Sequence, residues 1–350
     1  MRRLKKAFTL SVIVLVSLLM TLAFLEVAVR LFYTFKSSPR GRANLPVSKT
    51  YRLSNNTNLL YELLPNSSAT IRGKEYAINE TGFRDKDYPK STTKTLRIIC
   101  VGDSLTYGWR VPLEKTYHKQ LEKLFSQKGR SIDVMGMGVP GYNTVQEYYL
   151  IKEKALPFSP DMIILQICPN DFERTVGIKK FREGKKLTLV PYHDIPIPFA
   201  ITKTKFTHFL MRRSHLFKLM NVKLYSAMNK GRARPAQRSQ EMYWLGEEKS
   251  FQHLRKIKRL LDGRGVQFVA VIFPFQQRGD TYSFAPLHKR MHTELGKLDV
   301  PYLDLHEKLN TGHVEDIWFE RRHPNVKGYT VASRVLFRFI EPLLAGKTKK

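Results

Sequence analysis

The first hydrophobic pattern along the chain is an unbroken one. Ala7 to Leu25 (AFTLSVIVLVSLLMTLAFL) is 19 residues without a charge, preceded by Arg2, Arg3, Lys5 and Lys6. At about 1.5 Å per residue such a helix nearly spans a hydrocarbon core of about 30 Å. The run therefore predicts a transmembrane anchor over residues 7–29, with residues 1–6 as a cytoplasmic tail. A cleaved signal peptide is the competing reading, but the run is long for an h-region and no small-x-small cleavage site follows it. The basic N-terminus holds to the cytoplasmic side and sends the remainder across the membrane, although Arg30, Lys36, Arg40 and Arg42 also charge the far flank.

Residues 30–94 are polar, with short extended pieces such as YAINETGFRD (76–85), and predict a linker running into a small β-rich subdomain. From residue 95 the pattern becomes regular. LRIICVG (96–102), SIDVMGMG (131–138), DMIILQIC (161–168), VQFVAVIFP (266–274) and PYLDL (301–305) read as strands. Between them, KTYHKQLEKLFSQKG, TVQEYYLIKEKALP, MYWLGEEKSFQHLRKIKRLLDGRG and LHKRMHTELGKLD carry apolar residues at spacings of three and four, and a final helix is expected over about 327–344. This alternation predicts one α/β domain over 95–345, a parallel sheet covered by helices on both faces. Residues 173–240 interrupt it with a long basic insertion, expected to act as a lid.

Composition adds compartment and charge. The 350 residues are 42% hydrophobic and 26% charged, ordinary globular values, with a net charge of +30. The positive charge is concentrated: residues 174–260 hold 21 Lys and Arg against 5 Asp and Glu. Such a surface attracts polyanions. For a chain exported and held at a membrane, anionic lipid or acidic polysaccharide fits best; a solvated surface without a specific partner is the plain alternative. Nucleic acid is disfavoured because no helix-turn-helix, zinc or RNP-type pattern accompanies the charge. Cys100 and Cys168 are too few for a disulfide scaffold and read as core thiols, or as a single disulfide in an oxidising compartment.

Candidate chemistry gathers where strands end, the edge at which open α/β sheets bind ligands. Gly102-Asp103-Ser104 closes the first strand, Gly138-Val139-Pro140-Gly141-Tyr142-Asn143 follows the second, and Pro169-Asn170-Asp171 follows the third. Arg322-His323-Pro324-Asn325 precedes the last helix. Ser104 is either a nucleophile at a tight strand-to-helix turn or only a helix N-cap. A serine hydroxyl needs a base, and His323 is the candidate. Gly141 serves a turn needing positive φ, and Asn170 with Asp171 could be no more than turn formers. Asp103 and Asp171 are expected to hold loops rather than react.

These four blocks, GDSL (102–105), GVPGYNT (138–144), ND (170–171) and HPN (323–325), occur in an order that resembles the SGNH/GDSL hydrolase superfamily over roughly 96–344. Residues 76–112 further resemble a bacterial, envelope-associated branch with an N-terminal membrane segment. The resemblance implies a flavodoxin-like three-layer α/β sandwich with a central parallel sheet. It also implies Ser104 as nucleophile, His323 as base, and an oxyanion hole of the Ser104 and Gly141 backbone N–H groups and the Asn170 amide. The family places Asp three residues before its histidine; here Glu320 stands there and is expected to orient His323, with Asp316 in reserve. Cys168-Pro169 stands before Asn170 where the family commonly has Gly, so the acyl site could be narrowed or Asn170 re-aimed. No GxSxG, P-loop or HExxH occurs, and no metal or organic cofactor is expected.

Together these readings predict a single-pass membrane protein with an extracytoplasmic catalytic domain, on the periplasmic side if bacterial. It would hydrolyse or transfer an O-acyl group, O-acetyl by preference, on an envelope glycan or lipid. The reading from another class is a weakly active or inactive polyanion- or glycan-binding protein on the same fold.

Overall fold

The computed structural model describes residues 2–35, 50–56, 58–59, 61–71, 73–90, 95–172, 177–183, 186–192, 210, 213–217, 219–220, 235–277, 281–310 and 314–345. In chain order the elements are α1 (Arg2–Phe35), β1 (Tyr51–Leu53), β2 (Tyr61–Leu63), β3 (Ser67–Ile71), β4 (Lys74–Ile78), β5 (Leu96–Gly102), α2 (Ser104–Tyr107) and α3 (Tyr117–Gln127). There follow β6 (Ile132–Gly138), α4 (Thr144–Leu150), β7 (Met162–Ile167), β8 (Gly177–Glu183), β9 (Lys186–Tyr192), α5 (Pro235–Asp262), β10 (Gln267–Ile272) and α6 (Ala285–Lys297). The chain closes with β11 (Tyr302–Asp304), α7 (His306–Leu309), β12 (Trp318–Glu320), β13 (His323–Pro324) and α8 (Val326–Leu343). It divides into two compact units, Met1–Leu53 with Val176–Arg232, and Ser54–Thr175 with Ala233–Lys350.

In the first unit, Lys6–Leu31 is long and apolar enough to cross a membrane and none of its residues is buried; Phe8 and Phe24 are each 72% exposed. Its Glu26 carboxylate accepts hydrogen bonds from Ser214 Oγ (2.7 Å) and from the backbone N–H groups of His215 (2.8 Å) and Leu216 (2.9 Å). β8 and β9 form an antiparallel hairpin with Gly177 opposite Tyr192 and Glu183 opposite Lys186. Of the basic segment 173–240, this hairpin, a few residues near 215 and the start of α5 are described; the rest of the expected lid lies outside the described residues.

The second unit is built on a five-stranded sheet in the order β11-β10-β7-β5-β6, every pair parallel. Numbered along the sheet's own strands, this is the flavodoxin-like order 2-1-3-4-5, whose switch point lies between β5 and β7. Uniformly apolar strands are what a sheet covered on both faces requires. Successive β5 side chains alternate between faces: Ile98 and Cys100 join the core formed by α3 and α8, where the Phe125 and Phe337 rings meet at 5.0 Å. On the other face α4 packs with α5, whose Phe251, Leu254, Ile257 and Leu261 recur at helical spacing and are buried. Each such side chain contributes about 1.5–3 kcal/mol on full burial.

Two expected helices differ in detail. The helix expected over 144–157 is α-helical only to Leu150; Ile151–Ala155 widen into a π-turn and Leu156–Phe158 tighten into a 3₁₀ turn at Pro157, which has no N–H to continue the α ladder. The helix expected from residue 242 begins at Pro235, a residue suited to a first helical turn because its missing N–H is not needed there.

Candidate active site

The register of the sheet brings the strand ends to one edge, with Gly102 beside Gly138 across β5 and β6. Asp103 caps the one-turn helix α2: its Oδ1 accepts from the Leu105 N–H (2.9 Å), and Gly108 ends the helix in the left-handed region at φ 72°. So short a helix has little macrodipole, so favouring negative charge at Ser104 falls to the local N–H groups. The turn is dense. A Cβ on Gly102 would lie 2.3 Å from Gln166 Oε1, which already accepts from the Asp103 N–H (3.1 Å) and Thr106 Oγ1 (3.1 Å).

Ser104 Oγ lies 2.9 Å from His323 Nε2, and His323 Nδ1 lies 2.7 Å from Glu320 Oε1. Glu320 and His323 are cross-strand partners in the small antiparallel pair β12–β13, so the three-residue spacing is that of a tight hairpin. Two residues after His323, Asn325 caps α8 through Oδ1 (Lys327 N–H, 2.8 Å) and donates Nδ2 to the Asp316 carbonyl (2.7 Å). Asp316, the reserve acid, thus enters the scaffold through its main chain. Glu320 is half exposed, while the His323 side chain is only 14% exposed.

Gly141 sits in the turn after β6 at φ 81°, a conformation in which any L side chain is strained. Asn170 lies in the 3₁₀ turn Pro169–Phe172; its Nδ2 donates to Asp103 Oδ2 (2.8 Å), and its Oδ1 accepts from Cys168 Sγ (2.8 Å). Cys168 therefore orients the amide, directing the NH₂ group towards Asp103. Both Cys168 and Cys100 are buried free thiols, raised above the ordinary thiol range by burial, Cys100 to about 12.

Beneath Asp103 lies a buried acidic group. Glu147 of α4 is fully enclosed with no hydrogen-bond partner on either carboxylate oxygen, and Asp171 accepts the Cys168 N–H on Oδ2 (2.7 Å) while its Oδ1 has none. Burial, and then the neighbouring carboxylates, hold both well above the usual carboxylate range.

Two residues that motif reading missed brace the edge. Arg84, 3% exposed, donates from Nη1 to the carbonyls of Tyr107 (3.0 Å) and Gly108 (2.8 Å) and from Nη2 to that of Val111 (2.9 Å). Its guanidinium lies 4.2 Å from the Tyr76 ring, which stacks on Tyr107 at 5.5 Å. Arg110 stands at φ 68°, uncommon for a residue with a side chain. Its N–H donates to Tyr76 Oη (2.8 Å), its carbonyl accepts from Lys74 Nζ (2.7 Å), and its Nη1 lies 3.7 Å from Glu320 Oε2. No motif marks either arginine; only the β3–β4 hairpin in three dimensions does.

The sequence model described as the GDSL-like Lipase/Acylhydrolase family matches residues 100–331, well over half of the chain. No curated protein matches the sequence. Among solved structures, the lipase/acylhydrolase from Enterococcus faecalis is similar at 13% identity and a TM-score of 0.45, covering 73% of this chain and 100% of that one. An acetyl-xylooligosaccharide esterase from Geobacillus is similar at 14% identity and a TM-score of 0.44, covering 71% and 94%. The psychrotrophic esterase EstA from Pseudoalteromonas is similar at 10% identity and a TM-score of 0.42, covering 71% and 98%.

Proposed function

From the premise that this chain belongs to the GDSL-like lipase/acylhydrolase family, we propose that it cleaves or transfers an O-acyl group through a covalent intermediate on Ser104. The observation that carries this reading is the unbroken hydrogen-bond chain from Ser104 Oγ through His323 to Glu320. His323 Nε2 takes the hydroxyl proton as Ser104 Oγ attacks the acyl carbonyl. Glu320 accepts the Nδ1–H and so fixes the tautomer with its lone pair facing serine. The resulting oxyanion is met by the backbone N–H groups of Ser104 and Gly141 and by the Asn170 amide, which keeps one N–H beyond that given to Asp103. His323 then hands the proton to the leaving alkoxide. A second hydroxyl compound, water for hydrolysis or a glycan hydroxyl for transfer, gives its proton to His323 as it attacks the acyl-enzyme, and His323 returns that proton to Ser104 Oγ as the acyl–oxygen bond breaks.

Substrate and place follow from the rest of the chain. Lys6–Leu31 anchors the protein in a membrane, and the basic N-terminus keeps the catalytic unit extracytoplasmic. A tethered enzyme of net charge +30 meets acidic or membrane-bound material, so the substrate is an O-acylated envelope glycan or lipid, with acetyl as the acyl group. The test is a serine-reactive fluorophosphonate together with hydrolysis of small acyl esters. Wild type is expected to be labelled on Ser104 and to turn over acetyl esters, whereas Ser104→Ala loses both, with kcat down by about 10⁴–10⁶-fold. Unlabelled wild-type protein that still binds acidic glycan would replace this reading with that of a binding protein.

A further inference from the structure

A second cluster of chemically capable side chains lies at the end of the edge strand β11. His288 and His292 stand one turn apart on α6, a four-residue spacing that puts both rings on one face of the helix. Both rings reach the same carboxylate oxygen: His288 Nδ1 and His292 Nε2 each lie 2.7 Å from Asp304 Oδ2. The three donor atoms all fall within 4.8 Å of one another.

We propose that His288 Nδ1, His292 Nε2 and Asp304 Oδ2 form a binding site for a Zn²⁺-class divalent transition metal, separate from the Ser104 chemistry. Two imidazoles and a carboxylate are a donor set for zinc rather than for calcium or magnesium, which take oxygen ligands. Bonds of about 2.0–2.2 Å arranged tetrahedrally put donor atoms roughly 3.3–3.6 Å apart, so each His–Asp304 pair, now at 2.7 Å, must open by more than half an ångström while the three atoms stay inside the 4.8 Å span they already occupy.

The surroundings supply what metal-ligating groups require. With Nδ1 on a metal, His288 carries its proton on Nε2, and Tyr282 Oη lies 3.0 Å away to accept it. That hydroxyl is itself fixed by the Phe275 N–H at 3.0 Å. Asp304 Oδ1 accepts the His306 N–H (2.8 Å), which orients the carboxylate and leaves Oδ2 to bind. His306 packs on Tyr282 at 4.2 Å between ring centres and presents a buried Nε2 without a hydrogen-bond partner. Access is open on one side, since His288 is nearly enclosed while the His292 side chain is 38% exposed. Three protein ligands leave a fourth position for water, as in open zinc sites.

The experiment uses the full chain in detergent, stripped with a chelator and titrated with Zn²⁺ alone against a chromophoric competitor. Wild type is expected to take up one Zn²⁺, and its thermal midpoint to rise with the metal. His292→Gln and Asp304→Asn are each expected to weaken binding by at least about 10–100-fold, the loss seen even for supporting residues of metal sites. Replacement by Co²⁺ should give a visible tetrahedral absorption in wild type and not in the variants. Metal-free thermal midpoints show whether each variant is folded, and fluorophosphonate labelling reports separately on Ser104. Zinc held equally by wild type and by both folded variants overturns the proposal, as does wild type that binds none.

Discussion

Two sets of carboxylates flank the Ser104 turn, and they are treated in opposite ways. Glu320 is half exposed on a surface hairpin, joined to His323 and within 3.7 Å of an Arg110 guanidinium nitrogen. Glu147 and Asp171 are sealed beneath Asp103, with three carboxylate oxygens between them lacking any partner. The carboxylate proposed to face a developing imidazolium lies in contact with water and with a guanidinium nitrogen. Those that must not ionise are buried together, where low dielectric and mutual repulsion keep the proton on. Acids alike in chemistry are thus set apart by solvation and by their charged neighbours.

Asn170 lies between Asp103 and Cys168 above the sealed pair, and its removal has the largest expected effect on the comparison. Asn170→Ala takes away the amide proposed as an oxyanion donor and should lower kcat by about 10²–10³-fold with little change in KM; an unchanged kcat removes Asn170 from the proposed machinery. Glu320→Gln comes next. It should cost about 10–100-fold in kcat, less than the ~10⁴-fold of a fully buried triad acid, because water can partly replace an exposed carboxylate. Arg110→Ala breaks a long, partly exposed ion pair and a guanidinium contact with the Phe319 ring, so its effect on kcat should stay below about 5-fold. A larger loss would mean that its backbone conformation, and not its charge, supports Glu320.

Glu147→Gln is the opposite probe, expected to leave kcat untouched and to show itself in stability. A carboxyl whose folded pKa is raised binds its proton more tightly when folded, so stability is full below its ordinary value of 4.5 and falls as pH climbs through the folded value. Thermal midpoints of wild type and Glu147→Gln should therefore diverge as pH rises above about 4.5, the variant being the more stable. Parallel curves would show that Glu147 finds a partner when ionised.

The sheet was legible because its strands are short apolar runs with turn residues at both ends, and each strand falls within two residues of the expected bounds. The family match over 100–331 agrees with the four blocks read at the strand ends. What the chain did not disclose is how side chains far apart in sequence meet. Glu320 and His323 are visible by spacing, but their pairing across a hairpin is not. Cys168, read as a departure from the family pattern, donates a hydrogen bond to Asn170 Oδ1, a contact set by a turn and not by residue type. Arg110 carries no mark at all, since a positive φ in a residue with a side chain is imposed by its surroundings. The His288–Asp304–His292 cluster was missed for a related reason: its helix half was read only as an amphipathic face, and its carboxylate only as the end of a strand.

Ser104 and His323 are 219 residues apart along the chain yet share one hydrogen bond. Closing so long a loop is an entropic cost that a local helix does not meet, and contacts of this range slow folding. Recovery of ester cleavage after dilution from denaturant should accordingly lag behind recovery of helical circular dichroism, so that turnover serves as a clock for the last tertiary contact to form.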